Sequence, residues 1–415
     1  MKYIAKLFKN RFFSATFWMF VATGISNVGN YVYHLLMIIL ISSPKVFGEL
    51  ESAIALLYIL YVPLMTLSLV IIKFVSSAKG KGDDVAVASL YHYFNKRLLV
   101  GGTLFTVAII LLSPVISSFL HFSSLMMVVL LALTFMTSML STFTRSILQG
   151  LTNFFSLSII SLVEVFAKIL LSVILIYLGY KALGGLAAFV ISGLVGYIVG
   201  YLYVRKAKLK NSNEKIDPKP LIKYAIPAFF TTFASISFIT SDILMVRHFF
   251  PGVESGYYSF LSLLGKIIYF AASPIITAMF PLVSEHHAKG EKYTHFLYYS
   301  LGIAFLFIIP LVSIYYLFPQ IVINLFPNKN YSSIAPLLGP MSVFFSLYVL
   351  NTLLTTFYLS IHKIAPTVLN VLAALSQIFF LYLFHNSLSE MIFISTVTSF
   401  VLLICLLVYY PYARR

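Results

Sequence analysis

The chain has 415 residues, of which 60% are hydrophobic and 10% charged, and its mean hydropathy is +0.97. A water-soluble globule of this length could not bury so many apolar side chains, so lipid must solvate much of the surface. The formal net charge is +16, which can indicate nucleic-acid binding. Membrane topology explains this charge, as described below, and we therefore predict no nucleic-acid partner.

Twelve long hydrophobic runs follow one another along the chain. A helix needs roughly 20 apolar residues to cross the hydrocarbon core, whereas a barrel strand shows only about 10 alternating residues. The length of the first run, and the lack of a small-residue cleavage site, favour a retained span over a signal peptide. The sequence therefore predicts twelve transmembrane helices, at about 14–41, 47–75, 98–120, 124–148, 155–178, 183–204, 224–249, 256–282, 295–318, 332–358, 365–385 and 388–410.

The second half of the chain repeats landmarks of the first at an offset of about 208 to 211 residues. Gly48 corresponds to Gly256, and Ala78-Lys79-Gly80 corresponds to Ala288-Lys289-Gly290. Each half has six spans, so both halves enter the membrane in the same direction and are related by a pseudo-twofold axis along the membrane normal. We predict an all-α integral membrane protein with a six-helix bundle at 1–204, a cytoplasmic linker at 205–223 and a second six-helix bundle at 224–415.

The placement of basic residues orients the chain in the cell membrane. If the N-terminus is cytoplasmic, most of the 28 lysines and arginines fall in cytoplasmic segments, and the outer loops hold only Lys45, Lys181 and Lys329. This is the positive-inside bias, and it predicts that both termini are cytoplasmic. The same residues attract anionic headgroups, so membrane lipids are expected partners.

Polar residues form a stripe on the first span. Thr23, Asn27, Asn30 and His34 are spaced by four, three and four residues, which places them on one helical face. Such groups either line an aqueous cavity or bond neighbouring helices, and the spacing leaves both open. His34 would suit a proton-linked step only if it lines the cavity.

The seventh span repeats this stripe with Thr231, Ser235 and Asp242. Because an ionisable group inside a span is expensive to bury, Asp242 is a candidate functional residue. Arg247 lies nearer the outer surface and is expected to extend its charge to the interface.

The eighth span supplies the main cationic candidate, Lys266. It lies too deep to reach water easily, so it should meet either Asp242 or an anionic substrate. Its neighbours at helical spacing are Ser259, Ser262, Tyr269 and Ser273.

Two further cations are candidates in the first half. Glu164 and Lys168 are four residues apart, and the spacing favours a pair on one helix face. Arg145, at the predicted cytoplasmic end of the fourth span, would either meet a phosphate or follow the charge bias. Gly193, Gly196 and Gly200 are typical of close helix packing, and Pro63 and Pro274 of kinks.

Other motifs are weak. Glu285-His286-His287 and His295 lack the spacing of a zinc site, so no metal is predicted. No Gly-Lys-Ser or Gly-Lys-Thr phosphate loop occurs, so the chain by itself is not expected to use ATP. No cofactor is predicted, and H⁺ or Na⁺ is the expected coupling ion.

The segment from Thr240-Ser241-Asp242-Ile243 to Phe250-Pro251-Gly252-Val253-Glu254-Ser255-Gly256-Tyr257-Tyr258-Ser259 resembles a signature of polysaccharide-biosynthesis flippases. Phe47-Gly48-Glu49-Leu50 resembles its counterpart in the first half. These polysaccharide-biosynthesis flippases are the Wzx-like members of the multidrug/oligosaccharidyl-lipid/polysaccharide exporter superfamily.

The resemblance implies two six-helix bundles in a V that move a lipid-linked oligosaccharide across the cytoplasmic membrane by alternating access. It also implies that cavity cations receive the anionic headgroup, for which Lys266 is the first candidate and Arg145 and Lys168 the next. Two rivals remain open. A cation-coupled multidrug antiporter of the same superfamily would have a more acidic and apolar cavity, and a membrane enzyme would need clustered carboxylates, for which Asp83-Asp84 is thin evidence.

Overall fold

The structure is a computed structural model that describes residues 11–207, 209, 216–326, 329–363 and 365–413. Several predicted cytoplasmic residues lie outside the described residues. These are Lys2, Lys6, Lys9, Arg414, Arg415 and, in the linker, Lys208 and residues 210–215. The side chain of Thr23, in the first polar stripe, also lies outside them.

The described residues form sixteen α-helices and one short 3₁₀-helix, Lys329–Ile334, and contain no strand. The helices of the first half are α1 Arg11–Leu40, α2 Pro44–Leu60, α3 Val62–Gly80, α4 Asp84–Leu111, α5 Ser113–Phe119, α6 Leu125–Gly150, α7 Phe154–Tyr177 and α8 Lys181–Lys206. Those of the second half are α9 Pro218–Phe238, α10 Ser241–Phe249, α11 Val253–Ala288, α12 Thr294–Leu317, α13 Pro319–Asn324, α14 Ala335–Ser360, α15 Ala365–Leu383 and α16 Leu388–Ala413.

Eleven of these helical segments are long and apolar enough to cross a membrane, counted over the described residues. The remaining predicted span is the first, where α1 contains the shorter apolar helix Gly24–Leu40. The prediction of an all-α integral membrane protein is therefore confirmed.

Three predicted spans are each divided into two α-helices, the third span (98–120) at Leu112, between α4 and α5. The second span is interrupted at Tyr61, and Pro63 lies in the first turn of the helix that follows. Proline has no backbone N–H to donate, and the first turn of a helix is where that loss costs least. The seventh span is interrupted at Ile239 and Thr240, between α9 and α10. By contrast, α11 continues across Pro274.

The chain forms two compact units, and each is described by itself. Unit 1 comprises the residues up to Ile41 together with Leu60–Phe229, and unit 2 comprises Ser42–Ile59 together with Phe230–Arg415. The predicted bundle boundaries remain a prediction. The units differ from them in two places: Ser42–Ile59, part of the first predicted bundle, lies in unit 2, and residues 224–229, part of the second, lie in unit 1.

Close packing of glycines explains why Ser42–Ile59 lies in unit 2. Gly48 of α2 lies against the backbone of Gly256 in α11, and Gly256 lies against the carbonyl group of Pro44. A Cβ atom on either glycine would overlap its neighbour. The two repeat-equivalent glycines therefore allow α2 and α11 to approach at backbone distance.

In unit 1, the glycine row of α8 packs against small polar residues of α6. A Cβ atom on Gly193 would lie 2.8 Å from Thr137 Oγ1, and one on Gly196 would lie 2.9 Å from Ser141 Oγ. Gly200 meets Thr144 in the same way. The predicted close helix packing is confirmed, and it brings α6 and α7, which carry the charges described next, against the same face of α8.

Candidate functional site

An ion pair joins α6 and α7 in unit 1. Arg145 Nη1 donates to Glu164 Oε2 at 2.8 Å, and Nη2 donates to Ser161 Oγ, also at 2.8 Å. The side chains of Arg145 and Glu164 are 31% and 24% exposed. Gly196 of α8 makes room for this carboxylate, because a Cβ atom there would lie 2.9 Å from Glu164 Oε2. The pair is thus held at the edge of the helix packing and is partly exposed.

Lys168 lies one turn farther along α7 and is only 5% exposed. Its ammonium donates to Asn30 Oδ1 of α1. It also lies 4.8 Å from the ring centre of Phe189 and 5.2 Å from that of Tyr33, as in cation–π contacts. All of these direct partners are neutral.

The predicted direct pair between Glu164 and Lys168 is therefore wrong. The guanidinium of Arg145 reaches across from α6, and its planar fork donates to the carboxylate through Nη1 and to the Ser161 hydroxyl through Nη2. The charge of Glu164 still acts on Lys168. Two cations consequently share one carboxylate.

The described polar residues of the first-span stripe have different surroundings. Asn30 contacts Lys168, whereas Asn27 is exposed. His34 is half-buried, and its ring packs edge-on against Tyr33 at 5.4 Å between centres. Of these three candidates, Asn30 is in direct contact with a candidate cation, Lys168.

In unit 2, Asp242 is completely buried near the start of α10. Its carboxylate accepts a hydrogen bond from Tyr258 Oη at 2.9 Å and another from the backbone N–H of Ile243, also at 2.9 Å. Since α10 starts at Ser241, the carboxylate lies in the first turn, where the helix dipole favours negative charge. Asp242 is therefore held firmly inside unit 2.

Lys266 lies on α11, and two carboxylates act on its charge. The stronger of these electrostatic neighbours is Glu51 of α2, and the weaker is Asp242. Ser262, one turn before Lys266, is fully buried, and its hydroxyl finds no hydrogen-bond partner among the described residues.

Glu51 is a residue of the site that the sequence pattern did not single out. A carboxylate within the hydrophobic run 47–75 is itself a signal, since charges inside spans are rare and costly. The run contains a second one, Glu49, and both are buried. Spacing within α11 could not reveal Glu51, because it comes from a helix about 200 residues earlier in the chain.

Arg247 corrects another expectation. The residue is 1% exposed, and its Nη1 donates a hydrogen bond to Ser255 Oγ at 3.0 Å. The negative charge of Glu49 acts electrostatically on its guanidinium. The prediction that it extends to the interface is wrong, because α2 brings Glu49 into unit 2 and provides a buried partner.

Ser235 lines a small cavity of about 60 Å³ in unit 2. Its hydroxyl donates to the carbonyl of Thr231, and its own carbonyl accepts from Tyr348 Oη at 3.2 Å. The other polar lining residues are Asn351, Thr352, Thr355, Thr356 and Asn370. Hydroxyl and amide groups therefore line part of the cavity, beside the apolar Phe238, Leu359 and Leu402, and the cavity is large enough for water, since about 10–15 Å³ of such space admits one molecule.

The two units thus differ in the charge they bury around the candidate residues. In unit 1 the cluster of Arg145, Glu164 and Lys168 holds two cations and one anion. In unit 2 the charges of Glu51 and Asp242 both act on Lys266, so its positive charge is already matched. The first-ranked candidate therefore has acidic neighbours, and the cationic excess lies with the next two candidates.

Solved structures of transporters share this fold. A multidrug resistance MATE family transporter of the MOP superfamily, in an inward-facing conformation, is 13% identical with a TM-score of 0.75, and the match covers 95% of this chain and 99% of that chain. The lipid II flippase MurJ, in an inward closed conformation, is 16% identical with a TM-score of 0.73 over 95% and 87% of the two chains. At these identities the similarity shows the fold alone.

A third solved structure and one curated sequence are also similar. The structure is a MOP superfamily transporter from Pyrococcus furiosus, described by the reverse polarity of its binding pocket, with 16% identity, a TM-score of 0.59, and 96% and 95% coverage. The sequence is an uncharacterized membrane protein of Methanocaldococcus jannaschii, 30% identical over 158 residues. That match covers 34% of this chain and only 38% of the relative's length.

The family comparison extends over most of the membrane-spanning sequence. The model described as polysaccharide biosynthesis protein matches residues 12–287, well over half of the chain, and includes every charged candidate discussed above. Together with the fold, this match confirms the resemblance to the Wzx-like transporters. The chain is a multi-pass membrane protein that belongs to the polysaccharide biosynthesis protein family.

Proposed function

We propose that this protein is a flippase that moves a lipid-linked oligosaccharide across the cell membrane by alternating access. The observation that carries the proposal is the cluster in unit 1, where Arg145 and Lys168 share the single carboxylate of Glu164. A surplus positive charge inside a membrane span is costly. The phosphate groups of a lipid-linked sugar would neutralise it.

The depth of the cluster suits a headgroup entering from the cytoplasm. With the predicted topology, α7 starts at the cytoplasmic side, and at about 1.5 Å per residue Glu164 lies about 15 Å and Lys168 about 21 Å along it. A phosphate would meet the partly exposed Arg145 first and the buried Lys168 next. We therefore assign Arg145 to capture and Lys168 to the inner end of the phosphate site.

The chemistry of the substrate explains why such residues are needed. A charged sugar headgroup cannot enter hydrocarbon without hydrogen-bond partners, while its lipid tail can remain in the bilayer. Arg145 offers a planar fork that suits phosphate oxygens, and Lys168 offers a compact charge. The coupling ion is proposed to be H⁺ or Na⁺.

Reconstitution into liposomes tests this proposal. A fluorescent lipid-linked oligosaccharide is supplied in the membrane, and the fraction reached by a membrane-impermeant quencher is followed over time. Arg145→Ala and Lys168→Ala should each flip it at least about tenfold more slowly, since a charge-assisted hydrogen bond contributes about 1.5–3 kcal/mol. Lys79→Ala is the matched control, because Lys79 is 47% exposed and pairs with Asp84 at 3.2 Å.

The same liposomes distinguish the rival function. An antiporter of cationic drugs should move a fluorescent organic cation in exchange for H⁺ or Na⁺ that moves down its gradient. Removing Arg145 or Lys168 should not slow this exchange. If the protein exports the cation while the oligosaccharide lipid crosses the bilayer no faster than in protein-free liposomes, the flippase assignment is overturned.

A further inference from the structure

One residue of the unit 1 cluster, Glu164, is negatively charged and therefore cannot itself ligate an anion. It accepts from Arg145 at 2.8 Å, and Ser141 Oγ donates to the same oxygen, Oε2, at 3.4 Å. It therefore occupies the guanidinium edge that an incoming phosphate would use. A carboxylate at this position repels an anionic substrate and competes with it for Arg145. This raises the question of what the competition contributes to transport.

The surroundings keep Glu164 beside Arg145 without sealing it in. The glycine at position 196 leaves the space that the carboxylate fills. The pair is about one quarter to one third exposed, and partly exposed ion pairs are weak because solvent screens them. An anion of higher charge can therefore displace this carboxylate.

Lys168 adds a second consequence. It lacks a carboxylate in direct contact in the part of the chain that the structure describes, and the charge of Glu164 acts on it from one turn away. When Glu164 releases Arg145, both cations become available to the same ligand. When the ligand leaves, Glu164 neutralises them again.

We propose that Glu164 is a displaceable counter-ion that sets the affinity of the carrier for a phosphate or pyrophosphate headgroup, competing with it for Arg145 and so promoting its release. This inference rests on the proposed function and deepens it. It assigns the cluster a specificity as well: a neutral sugar headgroup cannot displace the carboxylate, whereas a pyrophosphate can.

The test uses the full-length protein in detergent and inorganic pyrophosphate as the probe. Glu164→Gln keeps the shape of the side chain and removes its charge, so it should bind pyrophosphate about tenfold more tightly than the wild type, which is the effect of about 1.4 kcal/mol. In liposomes the same variant should show a lower KM for the oligosaccharide lipid together with a lower kcat, because release is slowed. Glu254→Gln is the matched control, since Glu254 is exposed on α11 in unit 2.

A purely structural role for Glu164 would give a different pattern. Glu164→Gln would then unfold at lower temperature and bind pyrophosphate no better than the wild type, which would overturn the proposal. If Glu164→Gln does not fold, Glu164→Asp replaces it. The shorter carboxylate reaches Arg145 less well, and tighter pyrophosphate binding by that variant supports competition, whereas unchanged binding contradicts it.

The two proposals fail separately. A wild-type protein that flips the oligosaccharide lipid, with a Glu164→Gln variant of unchanged affinity, would refute the counter-ion and leave the flippase standing. Conversely, the wild-type protein could fail to flip the lipid while Glu164→Gln gains affinity for pyrophosphate. That result would refute the proposed substrate and support the role of Glu164 as a displaceable counter-ion.

Discussion

At the scale of single residues, partners from other helices outweigh neighbours along the sequence. Glu164 and Lys168 have ideal spacing for a pair on α7, yet Glu164 bonds to Arg145 and Lys168 to Asn30. An intrahelical pair between flexible side chains contributes only about 0.2–0.5 kcal/mol. A guanidinium fork from α6 therefore outcompetes it.

The same reasoning gives a prediction for Lys266. Lys266→Met should destabilise the protein by about 3–5 kcal/mol, because it leaves Glu51 and Asp242 buried without their shared cation. Adding Glu51→Gln should recover part of this loss, with a coupling energy of about 1–3 kcal/mol if Glu51 is the stronger partner. Unfolding in mixed micelles, followed for both single variants and the double variant, measures this coupling.

Strictly additive effects of the two substitutions would contradict the assignment of Glu51 to Lys266. Asp242→Asn in place of Glu51→Gln provides the comparison, since its electrostatic effect on Lys266 is the smaller of the two. A larger coupling with Asp242 would return Lys266 to the partner first considered from the sequence.

At the scale of helices, close backbone contacts determine which elements pack together. Helix α2 is continuous in sequence with α3, but the break at Tyr61 and the contact between Gly48 and Gly256 place it in unit 2. The correspondence between these two glycines was visible as a repeat. Their mutual contact was not, because an offset in sequence contains no information on distance.

A glycine substitution tests this contact. Gly256→Ala places a Cβ atom where it overlaps the carbonyl group of Pro44, so it should destabilise the protein by about 1–3 kcal/mol, the usual cost of overpacking. Thermal unfolding in detergent measures the effect. Gly101→Ala is the control, because nothing lies within 4 Å of its added Cβ and alanine favours the helix by about 1 kcal/mol.

Equal unfolding temperatures for Gly256→Ala and Gly101→Ala would show that α2 and α11 tolerate a wider separation. The glycines would then have no role in the packing of Ser42–Ile59.

At the scale of the whole molecule, the bias of basic residues predicts the orientation, and chemistry on each side of the membrane can check it. Cys405 is the only cysteine, so Cys405→Ser yields a background without thiols. Lys81 and Lys181 are both exposed, and the predicted topology places them on opposite sides. In that background, Lys181→Cys should react with a membrane-impermeant maleimide in intact cells.

Lys81→Cys should react only after the cells are permeabilised, because its loop is predicted to be cytoplasmic. Labelling of Lys81→Cys in intact cells, without labelling of Lys181→Cys, would reverse the predicted orientation of the chain.

The sequence by itself determined the class of this protein, since hydrophobic length, a twofold repeat and charge bias depend on composition and order alone. It also indicated the residues worth inspecting, because any charge within an apolar run is costly and needs an explanation. The tertiary structure alone decided which charges meet. In the folded chain Glu164 pairs with Arg145, Glu51 acts on Lys266, and Glu49 acts on Arg247. The excess of positive charge then lies in unit 1. Electrostatic partners are set by distances of a few ångströms between helices, and those distances depend on packing contacts that no single segment of the sequence contains.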